Sequence, residues 1–289
     1  MAEGFLNILK PPGMTSHDIV SFVRRTYGLK KVGHAGTLDP AAAGVLPVAL
    51  GRATRFIEYL ADADKSYRAE LTFGFSTTTG DDTGEVLERK DFSMPHQVRI
   101  EEVLQSFQGE IEQIPPLYSA IKINGQKACD LARKNQQVQI PARKVFLHKL
   151  ELLAIKEPTI RFDVVCSKGT YIRTLCIDIG RALDIPAVMS FLVRTRVGSF
   201  SLQKAYTLEE LRQQPPQALL PISDVLAHLP AVHLDGKQPA DFCNGKKIRL
   251  YEPPEQAESI RVYDADENFL GIAGYDEQHL CLVPMKVIG

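Results

Sequence analysis

The chain has 289 residues, 44% of them hydrophobic, with 34 Lys plus Arg against 35 Asp plus Glu and a formal net charge of −1. At about 100 to 200 residues per domain this length suggests two domains with sizeable cores, which excludes disordered and fibrous classes. Taken whole, the charge balance argues against a nucleic-acid binder. The longest nearly apolar run, residues 41–50, is broken by Gly44 and Pro47 and falls far short of the roughly 20 residues of a bilayer span.

The N-terminus, MAEGFLNILK, has no basic region followed by an apolar stretch and a small-residue cleavage site, so a soluble cytoplasmic enzyme is expected. Residues 5–10 read as a short strand, stopped by Pro11, Pro12 and Gly13. Thr15 or Ser16 can cap the next helix, whose stripe is Ile19, Val20, Val23 and Tyr27. Asp18 suits its positive first turn and Gly28 ends it. Residues 31–40 form a glycine-rich loop, and 52–60 look helical. Tyr67, Ala69, Leu71, Phe73 and Phe75 alternate with polar residues as a half-buried strand does, before turn chemistry over 76–84.

Ile100, Val103, Leu104 and Phe107 follow helical spacing, with Gly109 as the stop. Beyond the Pro115-Pro116 break, strands are expected over 145–153 and over Ile160, Phe162, Val164 and Cys166. A helix capped by Thr170 follows, with the stripe Ile172, Leu175, Ile179 and Leu183, and 194–200 are extended. Pro215, Pro216 and Pro221 precede a domain boundary near residue 227. Short extended pieces at 231–234, 260–263, 269–273 and 280–283 then fit a small β-barrel.

Charge is unevenly distributed. Residues 122–149 hold seven basic side chains (Lys122, Lys127, Arg133, Lys134, Arg143, Lys144, Lys149) and one acid, Asp130, for a local +6. Residues 62–102 and 213–289 each carry −5. Because phosphate attraction is local and screened within about 10 Å, a +6 arm can grip an RNA backbone on a neutral protein. Five cysteines without a Cys-x-x-Cys pair and seven histidines without a His-x-x-x-His pair signal neither a disulfide framework nor a metal site.

Two clusters stand out. In Lys31-Val-Gly-His-Ala-Gly-Thr-Leu-Asp-Pro40, Asp39 is the one carboxylate, and the loop lacks the Lys-Ser or Lys-Thr of a phosphate loop, which disfavours a nucleotide triphosphatase. Asp-Pro is equally a turn starter, and His34 can serve its own loop. In Cys166-Ser-Lys-Gly-Thr-Tyr-Ile-Arg-Thr-Leu175, Tyr171 and Arg173 sit where a helix leaves a sheet. They are either functional or, respectively, a core aromatic and a surface charge. Tyr67 either faces the core with Leu71 and Phe73 or offers its ring to a stacked base.

The pattern resembles that of the TruB-type tRNA pseudouridine synthases in six ordered stretches. They are Lys10-Pro-Pro-Gly-Met-Thr-Ser16, Gly33-His-Ala-Gly-Thr-Leu-Asp-Pro40, Lys65-Ser-Tyr67, Pro115-Pro-Leu-Tyr-Ser-Ala120, Gly169-Thr-Tyr-Ile-Arg-Thr174 and Leu192-Val-Arg-Thr-Arg-Val-Gly198. The resemblance implies an α+β fold with a central mixed, largely antiparallel sheet flanked by helices. Residues 1–227 would be the catalytic domain, with an RNA-gripping insertion at about 115–144, and 228–289 a PUA-like RNA-binding barrel. The implied reaction turns the T-loop uridine at tRNA position 55 into pseudouridine. It needs no metal or other cofactor, no membrane and no obligatory protein partner, and a monomer is expected.

By the same resemblance Asp39 is the nucleophile, at C1′ or C6, and a carboxylate is ionised at neutral pH without a separate base. Arg173 pairs with it. Tyr67 stacks on the uracil and moves a proton late in the reaction; Tyr171 and Leu192 shape the base pocket; His34 fills the gap left by the flipped base. Lys10, Arg55, Lys122, Lys127, Arg133, Lys134 and Arg143 would hold phosphates. Ala128-Cys129-Asp130-Leu131 departs from the family's Leu-Tyr-x-Tyr. The rival expectations are a guide-dependent synthase for another RNA and a non-catalytic RNA-binding or tRNA-folding protein.

Overall fold

The computed structural model describes residues 2–117, 121–123, 126–127, 140–213, 218–250 and 258–288. The chain opens with β1 (Gly4–Lys10), α1 (Ser16–Tyr27), β2 (Val32–His34) and β3 (Ala43–Leu50). A 3-10 helix (Gly51–Phe56) and the single turn α2 (Glu58–Ala61) lead to β4 (Lys65–Phe73), the hairpin of β5 (Phe75–Thr77) with β6 (Val86–Arg89), α3 (Gln97–Ser106) and β7 (Gly109–Gln113). Within the basic arm, β8 (Lys122–Ile123) pairs with β9 (Gln126–Lys127). Then come β10 (Arg143–Lys156), β11 (Thr159–Cys166), α4 (Ile172–Ala182), β12 (Ala187–Val197), β13 (Phe200–Ser201), α5 (Leu208–Gln213), β14 (Leu219–Leu220) and α6 (Ile222–Val225). The last segment holds β15 (Ala231–His233), α7 (Gln238–Cys243), β16 (Ile248–Arg249), β17 (Ile260–Tyr263), β18 (Phe269–Asp276) and β19 (Cys281–Val287).

Ten strands form one sheet in the order β14-β1-β3-β12-β4-β11-β10-β7, with β13 on β12 and β2 on β3. Every pairing is antiparallel except that of β12 with β3, where Val193 and Arg194 meet Ala43 and Gly44. This crossing matters for the site, because it brings the loop before β3 onto the middle of β12. A Cβ on Gly44 would lie 2.2 Å from the Arg194 carbonyl oxygen at φ +116°, so only glycine fits. Strands β1 and β3 are covered on both faces. Leu6, Ile8, Leu46 and Val48 pack on Ile19, Val20 and Val23 of α1, while Phe5, Val45 and Ala49 pack on Phe56 and Phe200. Helices α3 and α4 cover the other half of the sheet through Ile100, Val103, Leu175 and Ile179.

Thr15 caps α1 in a reciprocal box with Asp18, and Gly28 closes the helix in the left-handed conformation at φ 63°. Thr170, expected to cap the next helix, does not. Tyr171 is the cap residue, and the Thr170 hydroxyl donates instead to the Ser167 carbonyl at 3.0 Å. The stretch expected to be helical over 52–60 divides into the 3-10 helix and α2.

The C-terminal strands form a five-stranded half-barrel, ordered β15-β17-β18-β19-β16, around Leu234, Phe242, Ile248, Val262 and Leu282. It docks on the 3-10 helix, where the Phe56 and Phe269 rings stand 5.8 Å apart. Among the described residues no helix is long and apolar enough to cross a membrane.

Candidate active site

Asp39 lies in the loop between β2 and β3, and buried side chains hold the peptide groups around it. The Ser16 hydroxyl donates to the Leu38 carbonyl (3.2 Å) and accepts from the Leu38 amide (2.9 Å). The Lys10 ammonium donates to the carbonyls of Pro11 (2.9 Å), Met14 (2.6 Å) and Pro40 (3.2 Å). From the other side Arg194 donates to Gly36 (3.1 Å), Thr37 (3.3 Å) and Val45 (2.8 Å) carbonyls. A loop held through this many of its peptide groups has little freedom, so the carboxylate it carries is placed in advance.

Arg173, in the first turn of α4, puts Nε 3.1 Å from Asp39 Oδ2. The Arg173 side chain is 7% exposed and its Nη1 donates to the Thr79 carbonyl at 3.0 Å. A second carboxylate, Asp81, has Oδ2 4.0 Å from the same Nε. Burial alone would raise the Asp81 carboxyl, but hydrogen bonds from the Thr79 and Thr83 hydroxyls and the Thr83 amide, with the Arg173 charge, hold it below the ordinary carboxylate range. The Asp81 loop is pinned to β12 by hydrogen bonds between Met189 and the backbone of Gly80 and Asp82.

These groups face a cavity of about 270 Å³ lined by Thr37, Leu38, Asp39, Tyr67, Thr170, Tyr171, Ile172, Arg173, Met189 and Leu192. Its size suits one nucleobase, and its walls combine apolar side chains with a single ion pair. Tyr67 is buried, which pushes its phenol pKa up, against the opposing charge of Arg194. Tyr171 is fixed by Gln113, whose side-chain oxygen accepts from the Tyr171 amide (3.0 Å) and whose nitrogen donates to the Tyr171 carbonyl (3.4 Å). His34 stands at the end of β2, outside the residues that line the cavity. Burial first, then the charges of Arg194 and His17, push its pKa down and favour the neutral imidazole.

The structure thus gathers Asp39, Tyr67, Tyr171, Arg173 and Leu192 around one space. It separates others from it. Lys10, expected on phosphate, is fully buried instead, its ammonium turned onto three carbonyls; burial lowers its pKa to about 8. Arg55 donates to the Val287 carbonyl at 2.9 Å, which commits it to the seam with the half-barrel. Arg143 is exposed at the start of β10, in register with Gln113. Lys122 and Lys127 lie opposite each other in the arm's hairpin, whereas Arg133, Lys134 and the Ala128-Cys129-Asp130-Leu131 stretch lie outside the described residues. Asp81, Arg194 and Gln113 are site residues that the sequence does not announce. Arg194 sits inside a stretch that carries the resemblance, Asp81 inside what reads as a turn, and Gln113 has no local signal.

Comparison with known proteins agrees with this geometry. The fold is that of the pseudouridine synthases. Solved structures that it resembles include an H/ACA RNP bound to a substrate RNA containing 2′-deoxyuridine (TM-score 0.76, 25% identity, 99% of this chain and 85% of the other). A Cbf5-Nop10-Gar1 complex is similar (TM-score 0.75, 28% identity, 98% and 84%). Residues 24–172 match the N-terminal domain of the TruB family pseudouridylate synthases, 173–220 the tRNA pseudouridylate synthase B C-terminal domain, and 230–283 the C-terminal model of pseudouridine synthase II TruB. The chain is 48% identical over 271 residues to the tRNA pseudouridine synthase B of Caldanaerobacter subterraneus subsp. tengcongensis, covering 93% of this chain and 94% of that one. It is 43% identical over 293 residues to the protein of the same name in Bacillus subtilis, covering 98% and 92%. The chain belongs to the TruB family of pseudouridylate synthases.

Proposed function

We propose that the protein converts uridine 55 in the T-loop of tRNA to pseudouridine, with Asp39 as nucleophile. The observation that carries this is the Asp39–Arg173 pair, 3.1 Å apart at the wall of a one-ring cavity. Extruding the base costs a few kcal/mol in lost stacking. The neutral His34 ring compensates by filling the gap, and Tyr67 receives the uracil inside. Asp39 attacks the sugar C1′ or the uracil C6, the bond from N1 to the ribose breaks, the ring turns, C5 joins the sugar, the bond to Asp39 breaks to free the carboxylate, and N1 takes up a proton in place of the one C5 gives up. The buried guanidinium of Arg173, which donates to Asp39 from Nε, keeps the carboxylate aimed throughout. Tyr67 moves the proton that leaves C5. Residues 1–227 act as the catalytic unit and 228–289 as an RNA-binding one; Arg143 and the arm's lysines hold phosphates.

The names of relatives at 43–48% identity favour tRNA as the substrate over a guide-dependent target, although the RNP likeness keeps the second reading open to test. A bare T-arm stem-loop transcript, with no guide RNA or added protein, decides between them. Conversion at the single position 55 is expected. Conversion only when a guide RNA or protein is supplied would reject the tRNA reading.

A further inference from the structure

Arg194 is among the largest fully buried side chains, 1% exposed, and its described partners are neutral. A buried cation is costly unless its hydrogen bonds are met and something requires it there. Three of its five N–H groups are met by the carbonyls of Gly36, Thr37 and Val45. Gly36 and Thr37 belong to the loop that carries Asp39. The strand register sets Arg194 directly opposite Tyr67 across β12 and β4, close enough for its positive charge to oppose the upward push of burial on the Tyr67 phenol. Irregular register between Met189 and Phe191 and between Arg194 and Arg196 brackets this segment of β12. Such interruptions re-aim side chains that a regular ladder would place otherwise.

From this geometry we propose that Arg194 is the positioning residue that sets the nucleophile loop and the Tyr67 ring at a fixed separation, so that one guanidinium defines the gap into which the substrate ring fits. Arg194 touches no reacting atom; it acts through Gly36, Thr37 and Tyr67. This inference rests on the function proposed above, in that it gives Asp39 and Tyr67 their roles. Lysine keeps the charge but supplies one donor centre in place of a planar fork, so it cannot reach both partners at once.

The test is a cycle of Arg194→Lys, Tyr67→Phe and the double variant, followed by single-turnover pseudouridine formation on a T-arm transcript. Arg194→Lys is expected to slow the bound-complex rate about 100-fold, the scale of a misplacement of about 1 Å, while RNA affinity stays within about threefold. The double variant is expected to lose clearly less than the product of the two single losses. A rate loss matched by an equal loss of affinity, or fully multiplicative losses, would overturn the proposal. A second measurement needs no change at Arg194. The ¹⁵N resonances of its guanidinium should move on Tyr67→Phe, and resonances that stay in place would also overturn it. The ¹⁵N result stands even if the native protein makes no pseudouridine, an outcome that would reject the proposed function alone.

Discussion

Asp81 keeps its charge against burial, and this has a consequence for stability. Its folded carboxyl titrates below the ordinary value of 3.8, so the unfolded chain takes up this proton first as pH falls. The stabilisation is therefore fully present above about pH 4 and is lost as pH drops through the folded value. Asp81→Asn should be less stable than the native protein at pH 7 and show a shallower acid limb in denaturant midpoints measured from pH 5 to 2; parallel limbs would contradict this assignment. Lys10 contributes through hydrogen bonds to three carbonyls. Lys10→Met should leave the Pro11, Met14 and Pro40 carbonyls without their donor, at about 1–3 kcal/mol for each one that stays dry. A clear fall in the urea midpoint is expected, and an unchanged midpoint would show that water replaces the ammonium.

At the scale of the element, β3 shows what was and was not legible in the sequence. Alternation revealed β4 and β11, because each buries one face only. The run over 43–50 is apolar throughout, since β3 is covered on both faces, and a strand of that kind has no period of two to detect. Pro47 and Gly44 disguise it further. A cap at Thr15 or Ser16 is legible because the partners of a cap lie within a turn, Thr15 and Asp18 being three residues apart; the hold of Gln113 on Tyr171 is not, because its partner is 58 residues away. The same limit applies in the site. Asp39, Tyr67, Tyr171, Arg173 and Leu192 stand out within short stretches, whereas Asp81 reaches Arg173 only through the fold. Lys10 and Arg55 read as surface cations because sequence does not reveal that their charged ends turn onto carbonyls. The β3–β12 crossing itself is testable. Gly44→Ala forces a Cβ into the Arg194 backbone, and a loss of about 4 kcal/mol or more is expected in equilibrium unfolding. A loss below about 1 kcal/mol would mean that the two strands can separate without harm.

Across the whole molecule, two features lie behind a net charge near zero. The half-barrel is fastened to the 3-10 helix and α2 by Arg55 on the Val287 carbonyl, by Lys286 on Glu58 at 2.5 Å and by the Phe56–Phe269 ring pair. Cations spent on that seam are withdrawn from RNA. Within the arm, Lys144 and Lys149 are paired with Glu110 (2.8 Å) and Glu151 (2.6 Å), so the local charge felt by a phosphate is smaller than the count of basic residues suggests. The proposed RNA grip then falls to the remaining cations. Changing Lys122, Lys127 and Lys134 together to Ala should weaken tRNA binding and reduce the slope of log affinity against log salt by roughly 0.7–0.9 for each phosphate that is no longer neutralised. An unchanged slope would place the phosphates elsewhere.

The central claim is that Asp39 performs the chemistry, and its most direct test is chemical mapping of pseudouridine in a T-arm transcript after incubation with native protein or with Asp39→Asn. The native protein is expected to convert position 55, and Asp39→Asn to bind the transcript with similar affinity while leaving that uridine unchanged. Pseudouridine formed by the variant at the native rate would contradict the account.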